Sequence, residues 1–286
     1  MSLPNSNSLS IYQAVTESIL AALAKGTVPW RKPWTTNATL PVNAVSRRAY
    51  RGVNVFLLGL SPYSDHRWVT LKQANELGGK VKRNERATFV VFWKQWEVPQ
   101  SDEETRRKTI PLLRRYWLFN AEQCEGLHLP ALEVPRTLNR IDNAELAVKS
   151  MPYPPTIREG GSAAFYRPFD DLVQVPEFSS FMNPDSYYGT LFHELGHATG
   201  HPSRLARAGV ADQVQFGSES YCREELVAEL CSAFCCATLS LDNSLINDAA
   251  SYIQGWMSVL KSDPKAVVIA AAQAQRAADY ILNIPH

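Results

Sequence analysis

The sequence predicts an α+β protein built from two domains, because charge, aromatic content and periodicity all change near residue 130. Residues 1 to 130 hold 18 Lys and Arg against 10 Asp and Glu, a net charge of +8, whereas residues 131 to 286 hold 11 against 18, a net charge of −7. Six of the seven tryptophans lie in the basic half. Strand-like runs are found mainly in the first half, and helical periodicity dominates the second. Such asymmetry indicates two domains with different partners.

The first domain, residues 1 to 130, is predicted to combine helices with a small sheet. "SIYQAVTESILAALAKG" has the apolar spacing of an amphipathic helix that starts after Ser10 and ends at Gly26. The prolines of "VPWRKPW" make the following segment extended. "WVTLKQANELGG" predicts a short helix capped by Thr70. The runs at 87 to 98 and 110 to 120 predict two strands joined by a charged loop.

The second domain, residues 131 to 286, is predicted to contain a short sheet and to be mostly helical. Residues 131 to 156 are expected to form a proline-containing linker with one short helix. "REGGSAAFYRPFDDLVQVPE" predicts a hairpin with strands at 164 to 166 and 171 to 175. Apolar periodicity beyond residue 184 predicts four helices, at 185 to 199, 219 to 239, 243 to 260 and 264 to 282.

The sequence carries no sign of a membrane segment or of a disulfide framework. It has neither a basic leader followed by an apolar run nor a window of about 18 apolar residues, so we expect a cytoplasmic protein with no membrane partner. The five cysteines lack CxxC spacing, which favours reduced thiols in the core. A metal site at Cys231 and Cys235, one helical turn apart, is an alternative.

The string "HELGH" at residues 193 to 197 matches the H-E-x-x-H pattern of metalloprotease helices. His193 and His197 stand at i and i+4 on one helical face, so both imidazoles can reach one ion. Glu194 lies about 100° further round the helix, where it can act as the catalytic base instead of as a ligand. Asn183 and Pro184 provide a start signal for this helix.

A third ligand must come from another segment. The extended pattern H-E-x-x-H-x-x-G-x-x-H fails because Ser203 stands where its last histidine belongs. His201 comes two residues early, and we expect it beside the site or on the surface. Glu225 and Glu229 share one stripe of an apolar helix that must be buried, and buried carboxylates need a cation or strong donors. We expect Glu225 to ligate the metal and Glu229 to accept a histidine ring N–H.

Two imidazoles, one carboxylate and an open position favour one zinc ion, with manganese or cobalt as alternatives, and they predict peptide-bond hydrolysis. The E-x-x-x-E spacing of the two acids resembles that of gluzincin metallopeptidases. Tyr221 is a candidate to stabilise an oxyanion, and the strand "DDLVQVP" is a candidate to bind substrate by edge pairing. Glu224 is expected to be a surface acid. The alternative to a metal centre is an internal polar network.

The basic half interleaves cations with aromatic rings, the combination by which proteins bind the phosphates and bases of single-stranded nucleic acid. The combination recurs in "PWRKPW", "SRRAYRG", "HRW" and "FWKQW", and "KVKR" adds further cations. Trp96 and Trp117, which lie in predicted strands, are expected in the core instead. The candidate DNA-binding residues are Trp30, Arg31, Lys32, Trp34, Arg47, Arg48, Tyr50, Arg51, Arg67, Trp68, Lys72, Lys80, Lys82, Arg83, Trp93 and Lys94.

Both halves resemble the ArdC family of antirestriction proteins of conjugative plasmids, over nearly the whole chain. The resemblance rests on "IYQAVTESILAALAKGTVPWRKPW", "NAVSRRAYRGVN" and "RWVTLKQANELGGKVKRNERATFVVFW" in the first half, and on "YYGTLFHELGHATGHPSRL" and "YCREELVAELCSAF" in the second. It implies a single-stranded-DNA-binding domain akin to that of TraC-type primases, joined to a zincin-like metallopeptidase domain. It also implies that His193, His197 and Glu225 are ligands, that Glu194 is the base, and that the protein protects incoming plasmid DNA from host restriction.

The leading expectation is an enzyme that docks on single-stranded DNA and hydrolyses a protein found there, for which a host restriction component is one candidate. The rival is a DNA-binding shield whose metal site is structural or catalytically silent. Glu194 favours the enzyme, because a structural site has no use for a base beside an open position. A metal-dependent nuclease is disfavoured, because the sequence shows no carboxylate-rich cluster for two metals.

Overall fold

The computed structural model describes residues 5–30, 40–97, 109–130, 140–207, 210, 218–242 and 249–285. The helices in these ranges are α1 (Asn5–Ala24), α2 (Val53–Gly59), α3 (Leu71–Glu76), α4 (Arg140–Ser150), α5 (Pro184–Ala198), α6 (Glu219–Leu239), α7 (Ala249–Ser262) and α8 (Ala266–Ile281). The strands are β1 (Val42–Asn43), β2 (Arg67–Val69), β3 (Lys80–Val81), β4 (Thr88–Glu97), β5 (Thr109–Asn120), β6 (Cys124–Glu125), β7 (Thr156–Glu159), β8 (Phe165–Arg167) and β9 (Leu172–Val175). The predicted α+β class is confirmed.

The first half builds a four-stranded sheet of order β1-β2-β5-β4, in which β4 is an outer strand. β4 and β5 pair antiparallel along their whole length, as predicted. The short helix α3 starts as predicted, since Thr70 Oγ1 accepts from the Gln73 N–H (3.1 Å) and the Gln73 side chain accepts from the Thr70 N–H (2.9 Å). α1 begins at Asn5, before the predicted cap at Ser10, because Asn and Ser are tolerated in a first turn as well as at a cap.

The second half contains a three-stranded sheet of order β7-β9-β8. The predicted hairpin is present as the antiparallel pair β8 and β9. β7 pairs with β9 in parallel and was not predicted, because "TIRE" is short, polar and largely exposed. β9 is therefore the central strand, and the predicted edge pairing of "DDLVQVP" with a substrate is wrong. β7 and β8 form the two edges.

The second half is otherwise helical, as predicted. α5 and α6 fall at the predicted positions, and α7 and α8 follow. Cys231, Cys235 and Cys236 are buried free thiols on α6, in agreement with the expectation for a reduced core. None of the helices in the described ranges has the length and apolar content that a bilayer crossing requires.

Residues from both halves share one hydrophobic core. The ring of Trp30 packs edge-on against Phe56, with centroids 6.0 Å apart, and against Trp256 at 5.3 Å. Phe56 stacks on Phe234 of α6 at 4.9 Å. A rigid aromatic contact therefore joins the sheet-bearing half to the helices that carry the "HELGH" motif and Glu225.

Candidate metal centre and nucleic-acid interface

α5 presents the "HELGH" motif on a helix whose start and burial are fixed locally. Asn183 caps it by accepting the Ser186 N–H at 2.8 Å, and Pro184 occupies the first turn. Leu191, Phe192 and Leu195 are buried. Burial of these three side chains fixes the rotation of α5.

A close approach of α5 and α6 brings the third carboxylate to the histidines. A Cβ on Gly196 would lie 3.2 Å from the Ala228 Cα and 3.3 Å from the Cys231 Cβ, so only glycine permits this packing without a shift. Ser232 Oγ also donates to the Gly189 carbonyl at 2.7 Å. α6 is thereby held with Glu225 opposite the motif.

His193, His197 and Glu225 converge as one cluster, and among the described residues no other group of His, Cys, Asp and Glu does so. The two Nε2 atoms are 3.2 Å apart, and each lies 3.5 Å from an oxygen of Glu225. Ligands at about 2.0–2.2 Å from a tetrahedral zinc ion stand about 3.3–3.5 Å from one another. The three side chains therefore fit a single tetrahedral divalent ion that keeps one open position.

Each imidazole is held from behind by a second carboxylate. His193 Nδ1 lies 3.4 Å from Glu229 Oε2, and His197 Nδ1 lies 3.4 Å from Glu224 Oε1. Such contacts leave both Nε2 atoms directed at the centre. The expectation that Glu224 is a surface acid is wrong, because this side chain is buried in the second turn of α6 and faces α5.

Arg207 completes the support of His197. Its guanidinium pairs with Glu224 and also donates to Thr199 Oγ1 (2.6 Å) and to the Gly196 carbonyl (2.7 Å). Neither Arg207 nor the role of Glu224 was predicted from the sequence, although two adjacent acids in a buried helix indicate that each needs a partner.

The electrostatics of the centre are those of a cation site. Burial disfavours a charged His193, but its hydrogen bonds to Glu225 and Glu229 raise its pKa well above the ordinary value. Burial likewise disfavours a charged Glu225, but contacts with the two histidines and a hydrogen bond from Tyr221 lower its pKa. A divalent ion would satisfy the same carboxylates that hold a proton on His193.

Glu194, Tyr221 and His201 differ in their distance from the cluster. Glu194 is buried, and its charge contributes to the raised pKa of His193. Tyr221 is half-buried and directed at Glu225. His201 lies outside the cluster, beyond the end of α5, where its Nδ1 is 2.7 Å from Ser203 Oγ.

A second buried arginine fixes the end of α5 against the small sheet. Arg204 pairs with Asp171 at the start of β9 and donates to the Ala198 carbonyl at 2.7 Å. Burial opposes ionisation of Asp171, but hydrogen bonds from Arg204 and Tyr166 lower its pKa. This network positions the β8–β9 hairpin beside the "HELGH" helix.

Three of the aromatic residues predicted to bind DNA are buried. Trp30, Tyr50 and Trp68 belong to hydrophobic clusters, and Trp30 and Trp68 therefore present no open ring face to a base, whereas Tyr50 borders a pocket. This corrects the prediction for Trp30 and Trp68. Their aromatic side chains pack the core because each of them removes a large apolar area from water there.

The other candidates lie mostly at the surface. Arg31, Lys32 and Trp34 fall outside the described residues. The exposed candidates are Arg47, Arg48, Arg51, Lys72, Lys80, Lys82, Arg83, Trp93 and Lys94, whereas Arg67 is half-buried. Several of these cations form ion pairs: Arg51 with Asp279, Arg67 with Asp65, Lys72 with Glu76 and Lys80 with Glu125.

Three further aromatic residues of the β4–β5 hairpin are half-exposed, which was not predicted from the sequence. Phe92 and Tyr116 share one face, with ring centroids 5.6 Å apart, and Trp117 lies on the other face beside Phe89. The expectation that Trp117 belongs to the core is therefore wrong, and the side chain of Trp96 falls outside the description. The signal was available, because neighbouring residues of a strand face opposite sides, so "FW" and "YW" cannot both point inward.

Comparison with known proteins matches each half to a family model. Residues 9–119 match the N-terminal domain of anti-restriction factor ArdC, and residues 149–273 match a zincin-like metallopeptidase. Protein y4eC of Sinorhizobium fredii is 38% identical over 284 residues, which cover 95% of this chain and 91% of y4eC. Two Escherichia coli DNA primases TraC are each 36% identical over 95% of this chain, which spans only 27% and 20% of their lengths.

Two solved structures are similar along almost the entire chain. The metal-free crystal structure of antirestriction protein ArdC from plasmid R388 is 35% identical, has a TM-score of 0.79, and matches over 94% of this chain and 96% of that one. The Mn(II)-bound crystal structure of the same protein is 35% identical, with a TM-score of 0.76 and coverage of 95% and 97%. This chain therefore belongs to the ArdC family of antirestriction proteins, with an ArdC N-terminal domain followed by a zincin-like metallopeptidase domain.

Proposed function

We propose that this protein binds single-stranded DNA through residues 1 to 130 and hydrolyses a protein at a zinc centre in residues 131 to 286, and that it thereby protects incoming conjugative DNA from host restriction. The observation that carries the peptidase is the set of 3.2–3.5 Å separations between His193, His197 and Glu225. The buried carboxylate of Glu194 on the same helix supplies the base.

The three ligand side chains would hold one zinc ion, which would supply Lewis-acid polarisation of the scissile carbonyl and favour ionisation of a water molecule. Glu194 accepts the proton of the attacking water and delivers it to the leaving amine. Glu229 and Glu224 keep the imidazoles oriented through their Nδ1 atoms. Manganese is a second metal to test, because the R388 relative has a Mn(II)-bound structure.

The peptidase is tested by incubating wild type and Glu194→Gln with zinc, candidate host proteins and single-stranded DNA, followed by mass spectrometry of fragments. Glu177→Gln, at an exposed glutamate before α5, is the matched control. We expect cleavage by wild type and the control and a loss of about 10²- to 10⁴-fold in Glu194→Gln. Equal cleavage by all three would refute the assigned base.

The DNA-binding half is tested by the affinity of the full chain for labelled single strands and duplexes at several salt concentrations. Contacts with phosphates make log Kd rise linearly with log salt concentration, and we expect single strands to bind more tightly than duplex. Binding with no salt dependence, or with no preference for single strands, would refute the proposed binding of single-stranded DNA. Protection from restriction that survives Glu194→Gln would instead support the shield alternative.

A further inference from the structure

A pocket of about 740 Å³ lies between the outer strand β4 and helix α8. The first half contributes its aromatic wall, from Tyr50, Phe92, Trp93 and Tyr116. The second half contributes the opposite wall, from Val268, Ala272 and Gln275. Volumes of this size are typical of sites for small organic groups. The pocket is distinct from the metal cluster, with which it shares no residue.

The aromatic wall is built for stacking. The ring of Phe92 lies 6.3 Å from that of Tyr50 and 5.6 Å from that of Tyr116. Tyr50 is buried and supports the other two, which are half-exposed. Aromatic faces that border a cavity without filling it indicate a binding site for a planar group.

Polar side chains at one end of the pocket hold one another in a fixed arrangement. The Asn43 amide donates to Gln73 Oε1 at 3.1 Å, and Gln73 is fixed in turn by the Thr70 capping box. All three residues line the pocket. The Asn43 side-chain oxygen also accepts from the Gln73 amide and from the backbone N–H groups of Val45 and Ser46, so this end of the pocket has a fixed shape.

Arg48 lies at the rim of the pocket on an exposed segment of the basic half. Among the described residues its side chain has no ion-pair partner, and it lies beside the exposed Arg47. A cation at the mouth of an aromatic pocket matches the backbone phosphate that accompanies a base.

The wall from α8 is tied firmly to the first half. The Gly52 N–H donates to Gln275 Oε1 at 3.0 Å, and Arg51 pairs with the buried Asp279. About one turn before Gln275 on α8, Ala272, a small and exposed residue, leaves the space open. The site is therefore incomplete without residues beyond 119, where the ArdC N-terminal match ends.

We propose that this pocket binds one unstacked base of a single-stranded DNA, stacked on Phe92, with the Tyr116 ring, inclined at 71° to that of Phe92, against the edge of the base and with the adjoining phosphate at Arg48. The inference rests on the proposed binding of single-stranded DNA and adds where one base is held. It also assigns part of the DNA site to α8, in the metallopeptidase half.

The test measures the affinity of full-length variants for a fluorescent single strand. Phe92→Leu removes the stacking ring, and Ala272→Phe fills the pocket from α8. Trp117→Leu is the matched control for the first, because Trp117 is 53% exposed against 43% for Phe92 and lies on the other face of the same hairpin. Ile269→Phe is the control for the second, since it adds the same ring at an exposed position of α8 outside the pocket.

We expect Phe92→Leu to weaken binding by about 5- to 150-fold, which corresponds to the stacking of one base. Ala272→Phe should weaken binding by at least about 5-fold. Both controls should bind like wild type. On a strand with abasic sites throughout, wild type and Phe92→Leu should bind equally. Thermal unfolding of each variant establishes that it folds. If Phe92→Leu does not fold, Ala272→Phe still tests the pocket.

The outcomes separate the pocket from the proposed function. A wild type that does not bind single strands would overturn the proposed DNA binding itself. If wild type binds single strands and neither Phe92→Leu nor Ala272→Phe weakens that binding, the assignment of a base to this pocket would be refuted. The proposed function would still stand. Free deoxyadenosine monophosphate that binds as tightly as a strand would also overturn the assignment, because the pocket would then be a mononucleotide site.

Discussion

Replacement of Arg207 by methionine should weaken both the fold and the metal centre, because Arg207 connects Glu224 to the end of α5. The side chains of the pair are almost fully buried, with exposures of 8% for Arg207 and 10% for Glu224. Methionine fills much of the same volume but removes the cation. The hydrogen bonds to Thr199 and to the Gly196 carbonyl are lost as well.

The expected magnitudes follow from this burial. Removal of one partner of a buried ion pair costs about 3–5 kcal/mol of unfolding free energy, because the other charge remains buried. Since Glu224 Oε1 accepts from Arg207 and also lies 3.4 Å from His197 Nδ1, zinc affinity should fall by about 10- to 100-fold. Glu224→Gln should lower the free energy of unfolding by less in Arg207→Met than in wild type, and the difference between the two effects should be about 1–3 kcal/mol.

Denaturant unfolding of the metal-free protein and zinc competition titrations measure the two effects. Arg223→Met is the control, because Arg223 is likewise an ion-paired arginine, bound to Glu219 and Asp263, but its side chain is 35% exposed. Its loss should therefore cost no more than about 1 kcal/mol and leave zinc affinity unchanged. Equal stability losses in Arg207→Met and Arg223→Met would refute the buried-pair reasoning. Unchanged zinc affinity in Arg207→Met would refute the positioning of His197 through Glu224.

Three further predictions concern the same region. Glu229→Gln should lower zinc affinity by about 10- to 100-fold in competition titrations, whereas the same change at an exposed glutamate should not. Gly196→Ala should lower both the melting temperature and zinc affinity, because overpacking against Ala228 costs about 1–3 kcal/mol and exceeds the gain in helix propensity of about 1 kcal/mol; an increase in melting temperature would contradict this. Asp171→Asn should lose about 1.5–3 kcal/mol at neutral pH. Hydrogen bonds from Arg204 lower the pKa of Asp171 in the folded protein. Wild type should therefore be more stable than Asp171→Asn by the full amount above the unfolded-state pKa of about 3.9, and this difference should disappear as the pH falls through the lower folded-state pKa. Unfolding curves recorded from pH 2 to 7 measure the difference.

The features that the sequence predicts well are those decided within one helix. The spacing of His193 and His197 places them on one face of α5, and the apolar surroundings of Glu225 and Glu229 require partners for both acids. α6 spans the predicted 219 to 239, because its start and its apolar run are local signals.

Features decided by long-range packing could not be predicted in the same way. Arg207 and Glu224 are 17 positions apart and meet only because α6 folds back on the end of α5. The central position of β9 depends on pairing with β7, whose sequence is polar. Composition likewise indicates aromatic richness without showing which rings face inward, so Trp30 lies in the core while Phe92 faces a pocket.

The most direct test of the metal centre is a zinc titration of wild type, His193→Ala, His197→Ala, Glu225→Ala and Glu194→Gln. We predict one zinc ion per chain in wild type and in Glu194→Gln, with affinity reduced in each of the three ligand variants by more than the 10- to 100-fold expected for an outer partner. Glu194→Gln should hold its zinc and fail to cleave protein. Full zinc affinity in Glu225→Ala, or loss of the ion in Glu194→Gln, would contradict the assignment of ligands and base.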